Sequence, residues 1–145
     1  MPLKLTLKPH ERIVINGCAI RNSERRQVLI VESQADVVRG KDLLEPEAAA
    51  TPVSKVYYLV QTVLISSETR EKLLPVIQQD LGVLATVFGS STVSHIFKAA
   101  NFVSQGDYYK ALSELRPVLR HEEEVLKSAS SRAAKARAAQ VGHSS

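Results

Sequence analysis

The chain has 145 residues, 44% of them hydrophobic and 23% charged, which is enough to bury a core as one domain or two small units and excludes disorder throughout. A formal net charge of +4 and a pI of about 9.3 permit a polyanionic partner without demanding one. One cysteine and four histidines exclude an internal disulfide and give no metal-ligand spacing, and no apolar run approaches the ~20 residues needed to cross a bilayer. Because Met1-Pro2-Leu3-Lys4-Leu5-Thr6 also lacks the apolar segment of a signal peptide, a cytoplasmic protein without membrane association is expected.

Leu3, Leu5 and Leu7 alternate with Lys4, Thr6 and Lys8 in the two-residue period of a half-buried strand. Pro9-His10-Glu11 interrupts it, and Arg12-Ile13-Val14-Ile15 leads into Asn16-Gly17, the dipeptide that best accepts the positive φ angles of a tight hairpin, with Cys18-Ala19-Ile20-Arg21 returning. After the polar turn Asn22-Ser23-Glu24-Arg25, the run from Arg26 to Glu32 reads as a strong strand, and Val37-Val38 as a short one before a turn at Gly40. Residues 1–46 are therefore expected to form a small antiparallel sheet of about four strands.

The pattern becomes helical beyond the connector Glu45-Pro46-Glu47-Ala48-Ala49-Ala50. Thr51-Pro52 supplies an N-cap followed by proline at the first helical position, and Val56, Leu59, Val60, Val63 and Leu64 make a buried stripe. A second helix carries Leu73, Leu74, Ile77, Leu81 and Leu84, with Pro75 and Gly82 as points of weakness. Val93, Ile96, Phe97, Ala100 and Val103 mark a third, ending at Gly106, and Asp107 caps a fourth bearing Tyr108, Leu112, Leu115, Leu119 and Leu126, with Pro117 a kink. The fold class is α+β: a β-rich unit over residues 1–46, a helical bundle over 47–127, and a disordered basic tail over 128–145, too poor in apolar side chains to offset its ordering entropy.

No enzyme constellation is present, and neither a cofactor nor a metal is expected. Gly17, Gly40, Gly82, Gly89, Gly106 and Gly142 are too dispersed for a nucleotide-binding loop. Cys18 reads as a small apolar filler, not a nucleophile partnered by His10, which suits a turn. His95 reads as a helix-surface residue, and His121 with Glu122-Glu123-Glu124 as a solvated helix face lacking the alternating ligands of a calcium loop.

The candidate chemistry is basic. Residues 1–46 carry eight Lys/Arg against six Asp/Glu, residues 47–127 eight against nine, and residues 128–145 three against none. On a twisted sheet Lys8, Arg12, Arg21, Arg25, Arg26, Arg39 and Lys41, with Lys4 beside them, would offer the donor forks that suit phosphate. Glu11, Glu24, Glu32 and Asp36 dilute the charge, and no aromatic residue precedes Tyr57, so base stacking in the sheet is unavailable. The pairs Tyr57-Tyr58 and Tyr108-Tyr109 fall on helices, one of each expected in the core and the other exposed. These four tyrosines are candidates for partner docking or homo-oligomer formation, against the plainer reading of a core-forming scaffold.

Three runs carry a resemblance: Leu7-Lys8-Pro9-His10-Glu11-Arg12-Ile13-Val14-Ile15-Asn16-Gly17 with Ile20-Arg21-Asn22; Gln34-Ala35-Asp36-Val37-Val38-Arg39-Gly40-Lys41-Asp42; and, further on, Arg70-Glu71-Lys72-Leu73-Leu74-Pro75 with Gly106-Asp107-Tyr108-Tyr109-Lys110-Ala111-Leu112. From the N-terminus to about Leu126 the chain closely resembles the FlbT family of bacterial flagellum-biosynthesis regulators. The resemblance implies an alphaproteobacterial protein that associates with the 5′ untranslated leader of flagellin mRNA and typically represses flagellin synthesis by promoting message decay, the effect being positive in some members. It also implies a small partner of the same circuit, FlaF. About twenty N-terminal residues are similar as well to the CsrA type of mRNA-leader binder, a likeness that transfers no site residue. The competing reading is a protein–protein adaptor in flagellar assembly or regulation that acts on the message indirectly.

Overall fold

The first residues of the chain build two β layers, one on the other. In the computed structural model, which describes residues 2–143, the strands are β1 (Leu3–Leu7), β2 (Arg12–Ile15), β3 (Cys18–Arg21), β4 (Gln27–Val31) and β5 (Val37–Arg39). All pairings are antiparallel, but the expected single sheet is divided. β1 pairs only with β4, Leu3 opposite Val31 and Leu7 opposite Gln27, while β2 lies between β3 and β5. The reason is legible in β2, which is apolar on both faces and so needs cover on both. Ile13 and Ile15 pack with Leu5, Leu7, Leu29, Val31 and Val37 between the layers, whereas Val14 and Val38 turn the other way into the helices.

The β2–β3 hairpin turns on Asn16 and Gly17, with φ of 49° and 77°, the pair of positive values such a turn requires. Gly17 has a second constraint, because a Cβ there would lie 2.8 Å from the Leu64 carbonyl oxygen. β3 is exposed along its length, so Cys18 is a surface thiol and not the expected filler.

Four helices follow: α1 (Pro52–Ile65), α2 (Arg70–Ala85), α3 (Ser90–Ser104) and α4 (Tyr108–His143). α1 is the axis of the core, with Val53, Val56, Tyr57, Val60 and Val63 fully buried, each valine contributing about 1.5–3 kcal/mol of burial. Thr51 caps it as expected, its hydroxyl accepting from the Ser54 N–H while the Ser54 hydroxyl accepts from the Thr51 N–H. α2 passes through Pro75 without interruption and buries Ile77, Leu81 and Leu84. α3 buries Ile96, Ala99 and Val103, but Phe97, which falls in the same helical spacing, is 62% exposed. α3 closes on Gly106 at φ 77°, where the Gly106 and Asp107 N–H groups donate to the Val103 and Phe102 carbonyls, and the Asp107 carboxylate then accepts from the Lys110 N–H to start α4.

Glu122 corrects another expectation. It is buried in place of standing on a solvated face, and its carboxylate accepts from the Thr51 hydroxyl and, at 3.0 Å, from the Val53 N–H. It thereby supplies negative charge to the N-terminus of α1 from the far end of the sequence. Gln61, also buried, clasps the connector by exchanging hydrogen bonds of 2.8 and 3.0 Å with the Leu44 backbone. Through position 143 the basic tail is the continuation of α4, and its side chains from Glu123 to Ala139 are exposed, so Leu126 lies outside the packed stripe. Alanine propensity, not packing, accounts for its helical backbone. Residues 144–145 lie outside the described residues.

Candidate nucleic-acid interface

The corner between β1 and β2 is a tight turn made by Lys8-Pro9-His10-Glu11. The Glu11 N–H donates to the Lys8 carbonyl at 3.1 Å, and the Lys8 N–H donates to Glu11 Oε1 at 3.0 Å. His10 takes a left-handed φ of 62°, uncommon for a residue with a Cβ. Asn22 locks the turn in place. Its amide Nδ2 faces the carbonyls of Leu7, Lys8 and Arg25 at 3.3, 2.8 and 2.9 Å, and its Oδ1 accepts from the Ser23 N–H at 2.9 Å. The His10 N–H donates to Ser23 and the Asn22 N–H to Glu11, both at 2.9 Å, so the turns at 8–11 and 22–26 form one corner.

The end of β5 meets that corner. Arg39 donates to the Thr6 carbonyl at 3.0 Å and to Glu11 Oε2 at 3.1 Å. The Lys8 N–H, and after it Arg39, hold the Glu11 carboxyl below the usual glutamate range, against the partial desolvation that would raise it. Gly40 permits the approach: a Cβ there would lie 2.8 Å from the Arg12 carbonyl oxygen and 3.2 Å from Glu11 Cγ. Lys8, Pro9, His10, Glu11, Arg39, Gly40 and Lys41 together line an open cleft of about 520 Å³.

The seven basic residues singled out from sequence divide into two groups. Lys8, Arg21, Arg25, Arg26 and Lys41 are exposed and have no ion-pair partner among the described residues. Arg12 and Arg39 are half-buried and paired at 3.1 Å, Arg12 with Glu45 and Arg39 with Glu11. Lys8, Arg39 and Lys41 share the cleft, and Arg25 adjoins it through Asn22. Arg12 and Arg21, opposite one another in the β2–β3 register, line a separate hollow of about 380 Å³ with Tyr58 and Gln61.

Of the tyrosines, Tyr57 and Tyr108 are core residues whose burial leaves no ring face for a partner, which corrects their candidacy. Tyr57 is 1% exposed; its hydroxyl donates to the Asp42 carbonyl and accepts from Arg116 Nε at 3.3 Å, and burial pushes its phenol above the usual range. Tyr108 lies beneath the Arg70 guanidinium, 5.0 Å from the ring centroid. Tyr58 and Tyr109 are half-buried, Tyr109 beside Asn16, Gly17 and Arg70. His95 pairs with Glu114 at 2.7 Å and ties α3 to α4. Sequence reading missed Asn22 as the organiser of the corner, since a buried amide and a solvated turn amide look alike in one dimension.

Comparison with known proteins places the whole arrangement in context. The family described as "Flagellar protein FlbT" matches residues 3–126. The probable flagellum biosynthesis repressor protein FlbT of Rhodopseudomonas palustris (strain TIE-1) is 37% identical over 129 residues, covering 87% of this chain and 98% of the relative. The protein of the same description from Caulobacter vibrioides (strain NA1000 / CB15N) is 33% identical over 132 residues, covering 90% and 94%. No solved structure matches. With the match spanning the β layers, α1 to α3, the first half of α4 and both turns of the basic cleft, the chain belongs to the FlbT family.

Proposed function

We propose that this chain is a post-transcriptional regulator of flagellum biogenesis that binds the 5′ untranslated leader of a flagellin message and represses its translation or promotes its degradation. The observation that carries the reading is the cleft: two sequence runs about thirty positions apart, Lys8-Pro9-His10-Glu11 and Arg39-Gly40-Lys41, meet there with exposed cations on its rim. The relatives' names, flagellum biosynthesis repressors, support the regulatory half of the reading. Lys8, Lys41, Arg25 and Arg26 hold phosphates, while Arg39 and Arg12, already neutralised by carboxylates, shape the surface. With no aromatic platform in the β unit, recognition rests on backbone charge and leader shape. The chain breaks no bond itself; it acts in the cytoplasm by masking the start site or presenting the message to a nuclease.

A gel-shift series on a flagellin leader transcript tests this. Replacing Lys8, Arg25, Arg26 and Lys41 with alanine flattens the dependence of log affinity on log salt by about 0.7 per lost phosphate contact, close to three in all. Unchanged affinity and slope overturn the assignment.

The adaptor reading draws on a different observation, the exposure of Phe97, Val83 and Val87 on α2, α3 and the turn between them. There the helices dock a protein such as FlaF, purified protein alone does not retain the leader at physiological salt, and alanine at Phe97 abolishes regulation while the four-cation variant does not. A flagellin reporter gives the sign of regulation in either case.

A further inference from the structure

Glu122 is the last buried residue among the described side chains of α4, and the helix then runs on with every side chain from Glu123 to Ala139 exposed. After Glu124 the sequence contains Lys127, Arg132, Lys135 and Arg137 and no acidic residue. None of these four has an ion-pair partner among the described residues, and Arg132 Nε reaches only the Ser128 carbonyl, at 3.4 Å. The family match stops at residue 126, so most of this arm lies beyond the matched body.

What such an arm can hold follows from what it lacks. From Lys127 to Ala139 its apolar side chains are all alanines. A helix that lies in a bilayer surface needs leucines or aromatics on one face, and one that joins a partner helix needs a seam of large apolar residues. Neither is present. The arm offers charge of a single sign on a backbone that alanine keeps helical, and that is complementary to a polyanion.

We propose that the helix from Lys127 to Arg137 is a second, sequence-blind RNA contact that grips phosphates flanking the segment held at the cleft. The inference rests on the RNA-binding reading for the nature of the polyanion. Its geometry rests on α4 itself: Arg116 lies 3.8 Å from Asp42, the neighbour of Lys41, and Arg132 stands sixteen positions further along, about 24 Å at the rise of a helix. One RNA strand leaving the cleft spans that distance within a few nucleotides. Engagement of the arm is then intramolecular, so it strengthens binding to any RNA long enough to reach without adding sequence preference.

Full-length protein is titrated by fluorescence anisotropy, across a salt series, with the leader, with a scrambled RNA of equal length, and with vesicles of phosphatidylglycerol. One variant carries Arg132→Ala, Lys135→Ala and Arg137→Ala; a second carries Lys8→Ala and Lys41→Ala. The arm variant is expected to melt as the wild type does, because nothing packs on the arm, yet to lose affinity equally for both RNAs and to flatten the salt slope by about two. Wild-type affinity and slope in the arm variant overturn the proposal, as does a loss confined to vesicles. If the arm variant weakens and the cleft variant does not, the arm stands and the cleft reading falls; the converse result leaves the cleft and removes the arm. If wild-type protein binds neither RNA, both fall.

Discussion

Replacing Asn22 with alanine removes the side chain that joins the two turns of the basic corner. Its Nδ2 has the Lys8 and Arg25 carbonyls at 2.8 and 2.9 Å, and its Oδ1 receives the Ser23 N–H at 2.9 Å. The residue is 9% exposed, so water replaces those bonds only in part. Each bond is worth about 1 kcal/mol net, and a buried group left without a partner costs about 1–3 kcal/mol. Two donor bonds and one acceptor bond, discounted because the carbonyls are partly solvated, come to about 3 kcal/mol. For a chain of this size that lowers Tm by roughly 6–12 °C. Asn22→Asp keeps the shape but turns a second oxygen toward the three carbonyls, and at neutral pH it should cost at least as much. Burial and facing carbonyls raise that carboxyl above its unfolded value, so the variant's deficit relative to wild type is smallest in acid and grows as pH rises through the raised value. Urea denaturation followed by far-UV circular dichroism over a pH series reads both effects, and a parallel gel shift reports on the cations the corner positions. A cost below about 1 kcal/mol for Asn22→Ala at unchanged m-value, or an Asn22→Asp deficit relative to wild type that does not shrink in acid, would refute the reasoning.

Glu122→Ala strands the Val53 N–H and the Thr51 hydroxyl at the start of α1 and should cost about 2–3 kcal/mol, whereas Glu123→Ala, on the exposed face, stays within about 0.5; paired thermal melts distinguish the two. Gly17 and Gly82 should respond with opposite signs in denaturant midpoints. Alanine at Gly17 meets both a φ of 77° and the Leu64 carbonyl at 2.8 Å and destabilises by more than about 1 kcal/mol, while alanine at Gly82, inside α2 with nothing within 4 Å, stabilises by about 0.5–1 kcal/mol. Glu11 has its carboxyl held low in the folded chain, so its contribution is complete above the unfolded value of about 4.3 and disappears as pH falls through the lower native value. Glu11→Gln should remove that share of the acid dependence in a pH titration of stability; an acid profile identical to wild type refutes it.

The secondary structure was largely legible because its signals are local. Asn16-Gly17 demands a hairpin by its backbone freedom, Thr51-Pro52 starts a helix by its hydrogen-bonding chemistry, and Gly106-Asp107 ends one helix and begins the next within two residues. Periodicity was weaker wherever apolar residues outnumber buried positions, and Phe97, which shares the helical spacing of Ile96 and Val103, stands on the surface.

The seven basic residues of the candidate surface are likewise visible in one dimension, as is the family resemblance of the runs that bear them. Which of them are available is not. Arg39 and Arg12 are withdrawn by Glu11 and Glu45, 28 and 33 positions away, and no spacing rule announces such pairs. The same holds for Glu122, drawn from an acidic triplet to cap a helix 69 residues earlier. Charge, turns and helix ends are properties of neighbours in the chain and were determined by the sequence alone. The partner of each buried polar group, and hence which cations are left unpaired at the surface, was decided only when packing brought distant segments within hydrogen-bond reach.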